Sequence, residues 1–335
     1  MDEAGIFGQP TPEQAWDEGA KLASKALPRV LSHLPMGLLE KVVATYPGIE
    51  IVEVPSEGPL PEGVEGQVLL TQTWGTPNLG EVLERGVEWI HTYGTGVNHF
   101  PFQKLSGQRM SCSRGASAVP IAEWVLAMML AFEKDLPDIW LSEPPERWNV
   151  AKLGGLHGGT LGLVGLGGIA QAVATRALAF GMRVRALRRT DAPSPVSGVE
   201  VVTSLEALLD GADHVVIAAP ATARTQHLFD AKAFARMKPG SHLVNIARGE
   251  LVDQDALRVA LDEGPLALAS LDTVTPEPLP AGHWLYTHPR VRLSAHVSWS
   301  MPNSYEGLID PFVTNLQRFM DDEELIYRVN VEEGY

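Results

Sequence analysis

Residues 160–190 read TLGLVGLGGIAQAVATRALAFGMRVRALRRT. An apolar run at 161–164 ends in Gly165-Leu166-Gly167-Gly168-Ile169-Ala170, a small-residue amphipathic stretch follows, and a second apolar run at 184–187 closes the unit. The order is strand, glycine turn, helix, strand, the layout of a dinucleotide-binding βαβ unit. Gly165 permits the tight turn. Gly167 has no Cβ, so a pyrophosphate can approach the N–H groups that open the helix, where the dipole favours an anion. Gly168 and Ile169 complete the loop, and Ala170 stands at the third glycine position, which the motif allows.

The second strand delivers Arg188-Arg189-Thr190, where an NAD-binding chain commonly has Asp or Glu. A carboxylate there accepts hydrogen bonds from the adenine-ribose diol and repels a 2′-phosphate. Arginine reverses both effects, because its planar fork pairs with phosphate. The chain is expected to favour NADP(H). NAD(H) stays possible, with Asp191 as the residue able to take the ribose.

Outward from this unit, both directions alternate strand and helix patterns, which indicates α/β architecture with parallel sheets. Before it, strands are expected at 29–32, 49–54, 67–72, 87–91 and 109–113, with helices at 36–46 and 78–85. A longer helix is expected from Ser117 or Pro120 to about Lys134, with Ile121, Trp124, Val125, Met128 and Met129 at helical spacing. After it, strands are expected at 214–219, 242–246, 266–271 and 291–295, helices at 205–210, 231–237 and 253–262, and helix again from Pro302. Thr11-Pro12-Glu13-Gln14 fits a capping box for a short helix to about Ala26.

The chain has 335 residues, enough for about two domains. Its formal charge of −15 argues against nucleic acid or an anionic membrane as partner. A few arginines in a cleft can still bind an anionic substrate. Cys112 is the only cysteine, so neither an intrachain disulfide nor a cysteine-rich metal site is expected, and no metal is assigned. The first ten residues are acidic and carry no apolar signal core, and the apolar run 125–132 is too short to span a bilayer, so a cytoplasmic protein is expected.

Ligands of open α/β sheets bind beyond the carboxyl ends of the strands. Several polar residues stand there: Arg248 in NIARGELVD (245–253), Asp272 and Glu277 in LDTVTPEP (271–278), and His296 in LSAH (293–296). Ala219, Pro220, Ile246 and Ala247 occupy further strand ends and are expected to contact the cofactor. A lone histidine among ten means little. A histidine sharing an edge with Arg, Glu and a dinucleotide loop means more.

These segments, in this order and spacing, resemble the D-isomer-specific 2-hydroxyacid dehydrogenase family. The likeness covers nearly the whole chain after residue 28. It includes SAHVSWS (294–300), the segment TYGTGVNHF (92–100), similar to the family's substrate loop, and VPIAEWVLAMML (119–130), similar to its interdomain helix. The resemblance implies two Rossmann- and flavodoxin-like lobes with an interdomain cleft: a substrate domain of residues 1–118 plus 299–335 and a dinucleotide domain of 119–298. It implies NAD(P)H-dependent reduction of a 2-oxo acid, with Arg248 binding and polarising substrate, His296 as acid/base and Glu277 tuning His296. It further places the nicotinamide carboxamide on Asp272 and the substrate carboxylate on the amides of Thr95 and Gly96, with Tyr93 beside the pocket and a homodimer as the assembly. The chain departs from the family's pattern at Arg188-Arg189, Trp124, Thr273-Val274 and Trp299. A non-catalytic dinucleotide sensor or co-repressor on the same fold is the alternative, since fold does not determine function. A formate-type enzyme is disfavoured, because those pair the histidine with glutamine rather than with a residue such as Glu277.

Overall fold

The computed structural model of the chain describes residues 27–189 and 192–335. The expected helix before Ala26, Thr190 and Asp191 lie outside the described residues. Two sheets organise the rest. The first runs β2-β1-β3-β4-β5, from β1 (Val30–Ser32), β2 (Ile51–Glu53), β3 (Val68–Gln72), β4 (Trp89–Tyr93) and β5 (Arg109–Cys112). The second runs β12-β11-β10-β9-β6-β7-β8. Its strands are β6 (Thr160–Val164), β7 (Arg183–Leu187), β8 (Val199–Val202), β9 (His214–Ile217), β10 (Ser241–Asn245), β11 (Leu266–Leu271) and β12 (Val291–Leu293).

Every ladder between these strands is parallel. The first order is flavodoxin-like, and the second winds outward both ways from β6 in the Rossmann manner. Parallel strands need crossovers that cover both sheet faces, so central strands read as unbroken apolar runs. β6, β9 and β10 are buried over their whole length.

The helix Ala118–Glu133 lays Ile121, Ala122, Val125, Leu126 and Met129 into the core of the second sheet, beside Val173, Ala174 and Ala177 of the helix Gly168–Ala179. The small residues of that second helix let the two pack closely. The chain after His296 returns to the first sheet, where Trp89 of β4 stacks on Phe312 at 5.3 Å and Phe319 at 5.5 Å, both from the helix Asp310–Met320. Such ring pairs add about 0.5–1.5 kcal/mol to the burial of their area.

Three local expectations differ from the structure. The 36–46 helix divides at Leu39 (φ −109°) into a 3-10 turn, Met36–Leu38, and a short helix, Glu40–Thr45. The helix expected from residue 253 starts at Gln254, because the Asp253 carboxylate caps the N–H groups of Asp255 and Ala256. β8 was not expected. It is an edge strand in which only Glu200 is exposed and the other residues are half-buried, so its apolar signal is weak.

Candidate active site

Parallel pairing brings the carboxyl ends of β6, β7, β9, β10, β11 and β12 to one edge. Gly165 follows β6 at φ +95° and donates its N–H to the Leu187 carbonyl at 3.1 Å. A Cβ there would lie 2.9 Å from the Ala218 carbonyl oxygen, so only glycine lets the loop pass the end of β9. Gly167 caps the Gly168–Ala179 helix in an extended conformation (φ −76°, ψ −174°), and no side chain caps the helix. A Cβ on Gly167 would meet nothing within 4 Å. The loop is thus a glycine cradle that opens outward at the N-terminus of a twelve-residue helix, and it fits a pyrophosphate. Ile169 stands in the first turn of that helix, Ala219-Pro220 lie just beyond β9, and Ile246 and Ala247, both buried, lie just beyond β10.

The next strand ends carry the candidate side chains. Asn245 closes β10, accepts the Ala247 N–H at 3.1 Å and donates to the Arg248 carbonyl at 2.9 Å, bending the chain out of the strand. Gly249 follows against the segment after β11. A Cβ there would overlap the backbone of Val274 and Thr275. This turn aims Arg248 across to the loop after β4, where its Nε donates to Asn98 Oδ1 at 3.0 Å and its guanidinium covers Gly96 so closely that a Cβ would overlap it. Burial pulls the Arg248 guanidinium below its ordinary range, partly offset by Glu277 and Glu250. The group stays charged at any working pH.

His296 lies three residues beyond β12, off the strand on which it was expected to end, with φ +53°. Asp272 sets this turn. Its carbonyl accepts the His296 N–H at 2.9 Å, and its buried carboxylate accepts Ser294 Oγ (2.6 Å), Val297 N–H (2.8 Å) and Ser298 N–H (3.0 Å). Trp299 Nε1 donates to the His296 carbonyl at 2.9 Å. The imidazole Nδ1–H donates to Glu277 Oε2 at 2.8 Å, which leaves Nε2 as the second ring nitrogen for proton exchange. Burial raises the Glu277 carboxyl, but hydrogen bonds from His296 and the Val274 N–H, with the His296 and Arg248 charges, outweigh it and hold the group below its ordinary range.

On the facing loop, Thr95 Oγ1 donates to the Ser113 carbonyl at 3.2 Å. Tyr93 is committed elsewhere. Its hydroxyl donates to the Tyr305 carbonyl at 2.6 Å, and burial, followed by Glu306 and Tyr305, pushes it up to about 12. Trp124 and Trp299 pack, partly buried, on the core of the second sheet. Arg188 and Arg189 follow β7, each with a partner described below. Sequence reasoning missed Asn98, Asn245 and Ser294 as positioning residues. All three lie inside segments singled out by motif, but a polar side chain's partner is invisible without neighbours in space. No group of three or more His, Cys, Asp or Glu placed to hold a metal occurs among the described residues, and none of their helices is long and apolar enough to cross a membrane.

Residues 126–298 match the model of the D-isomer specific 2-hydroxyacid dehydrogenase NAD binding domain. A D-3-phosphoglycerate dehydrogenase of Methanocaldococcus jannaschii is 31% identical over 71% of this chain and 47% of its own length. A glyoxylate reductase of Thermofilum pendens is 32% identical over 72% of this chain and 75% of its own. The chain thus spans about half the length of the first relative and three-quarters of the second. A solved D-isomer specific 2-hydroxyacid dehydrogenase from Xanthobacter autotrophicus Py2, in complex with NADPH and MES, superposes with a TM-score of 0.79 at 24% identity, covering 92% of this chain and all of that one, and so shares the fold.

Proposed function

The chain belongs to the D-isomer-specific 2-hydroxyacid dehydrogenase family, and from that premise we propose that it reversibly reduces a 2-oxo acid to the D-2-hydroxy acid, with NADP(H) favoured over NAD(H). The observation that carries the reading is the 2.8 Å His296–Glu277 pair, sharing a sheet edge with Arg248 and an open glycine cradle. When bound, the nicotinamide supplies or accepts the hydride. The loop Gly165-Leu166-Gly167-Gly168-Ile169 would hold its pyrophosphate, with Ala219, Pro220, Ile246 and Ala247 alongside, Asp272 at the carboxamide, and Arg188 and Arg189 at an adenosine 2′-phosphate.

Arg248 and the Thr95 and Gly96 amides receive the substrate carboxylate. Arg248 also stabilises charge that grows on the 2-oxo oxygen, a donor already in place and screened little by water. His296 gives its Nε2 proton to the developing alkoxide and takes it back in the reverse direction. Glu277 holds Nδ1–H, fixes the ring's orientation and balances the imidazolium charge. We assign 1–118 plus 299–335 to the substrate lobe and 119–298 to the cofactor lobe. The packing of Asp310–Met320 on the first sheet and of Ala118–Glu133 on the second supports this division. A cytoplasmic homodimer follows the family's habit.

The test is cofactor oxidation with glyoxylate, hydroxypyruvate and bulkier 2-oxo acids, using NADPH and NADH in parallel. Turnover of at least one 2-oxo acid is expected. Binding of cofactor with no turnover of any would replace this reading by a dinucleotide sensor, and a tenfold advantage for NADH would overturn the assignment of Arg188 and Arg189.

A further inference from the structure

The arginine pair after β7 is already engaged. Arg188 turns back on its own loop, donating from Nη1 to the carbonyls of Ala192 at 3.1 Å and Pro193 at 3.0 Å. Arg189 reaches the other way. Its Nη1 donates to Glu333 Oε2 at 2.6 Å, and its guanidinium carbon lies 5.3 Å from the centre of the Tyr335 ring. The Tyr335 hydroxyl donates to the same Glu333 oxygen at 2.7 Å. Asn330 shapes this segment, its Oδ1 accepting the N–H groups of Glu332 and Glu333, each at 3.1 Å. The segment hangs from the first sheet, because the Val329 N–H donates to the Met110 carbonyl at 2.9 Å and Arg328 bridges Ser111. A carboxylate carried by one sheet therefore crosses to a guanidinium carried by the other.

We propose that Glu333 is a specificity-determining residue of the cofactor site: its carboxylate occupies Arg189 in place of an adenosine 2′-phosphate, so NADP(H) has to displace it and NAD(H) does not. The inference rests on the reading that the end of β7 receives the adenosine ribose. The Nη1 donor that Glu333 holds is not free to form a charge-assisted hydrogen bond to a phosphate oxygen. A carboxylate left beside the site also repels the phosphate, so competition and repulsion act in the same direction. Glu333 is anionic near neutral pH, because the Tyr335 hydroxyl, then Arg189, and the field of Arg224 hold its carboxyl below the ordinary range. The Arg189 side chain is 63% exposed, so the pair is a light latch that tunes preference rather than blocking the site.

The experiment is calorimetric titration of the full chain with 2′,5′-ADP, 5′-AMP, NADPH and NADH, for the parent protein, Glu333→Gln, Arg189→Gln and the double variant. Glu333→Gln should tighten 2′,5′-ADP and NADPH by about two- to fivefold, the range of an exposed ion pair. It should leave 5′-AMP and NADH unchanged. The gain should shrink in the Arg189→Gln background, because the contact through which the two side chains compete is gone and only the repulsion is left to remove. Equal changes for both cofactors, or weaker NADPH binding, would overturn the proposal. Arg189→Gln without effect on 2′,5′-ADP would remove the ribose reading as well. No readout needs turnover, so failure of the 2-oxo acid assignment is seen separately.

Discussion

Gly96→Ala isolates the placement of Arg248. The new methyl overlaps the guanidinium, nearest at Nη2. Gly96 is outside the left-handed region, so alanine is unstrained there and the amide proposed to bind substrate is kept. The arginine head has to withdraw by roughly 2 Å to reach an ordinary non-bonded separation of about 3.5 Å. That shift breaks the 3.0 Å bond to Asn98 and the 2.6 Å bond from Nη1 to the Ala247 carbonyl. Misplacing a catalytic group by about 1 Å costs around a hundredfold, and loss of one donor to developing negative charge costs about 10²–10³. The expected fall in kcat/KM for 2-oxo acid reduction is two to three orders of magnitude, about 3–4 kcal/mol. Thermal stability should barely change, since the clash falls on the end of a flexible side chain. Gly249→Ala is the control, because its Cβ meets the Val274 and Thr275 backbone and no rotamer relieves it; a loss of about 3 kcal/mol in stability is expected. Steady-state kinetics with thermal melts distinguish the two. A Gly96→Ala protein with kcat/KM within threefold of the parent would refute the reasoning.

Three further outcomes follow from the geometry. His296→Gln should lower turnover at least about a hundredfold with cofactor binding retained, and unchanged turnover would remove His296 from the mechanism. Asp272→Asn places an amide where the carboxylate accepts three donors, so about 2–3 kcal/mol of stability and much of the turnover should be lost, checked by urea unfolding and kinetics on one preparation. Burial lowers His91 to about 3 and His33 and His214 to about 4, so all three are neutral when folded while the unfolded chain protonates them near 6.5. Their stability contribution is therefore full above about pH 6.5 and lost as pH falls towards those values, at about 1.4 kcal/mol per pH unit for each. His91→Gln should remove one proton's worth of that slope between pH 6.5 and 5, and an undiminished slope in denaturant titrations would contradict the assignment.

Much of the architecture was legible locally. Apolar runs bounded by turns located eleven of the twelve strands among the described residues, with ends shifted by at most two residues. The missed strand, β8, is short and half exposed. The helix expected over 36–46 failed for the complementary reason: its apolar residues suit a helix, but the chain breaks at Leu39 to seat that side chain in the core below.

The sequence by itself determined the alternation of strand and helix, the glycine cradle and the residue types at the strand ends, because periodicity and glycine's backbone freedom act within a few residues. Tertiary structure alone decided what those residues do to one another. Arg248 is held by Asn98, 150 positions away, and Arg189 by Glu333, 144 positions away. Asp272, expected at the cofactor, also spends its carboxylate on the turn that carries His296. Such pairings depend on which strand ends become neighbours when parallel sheets form, and no local pattern along the chain encodes that.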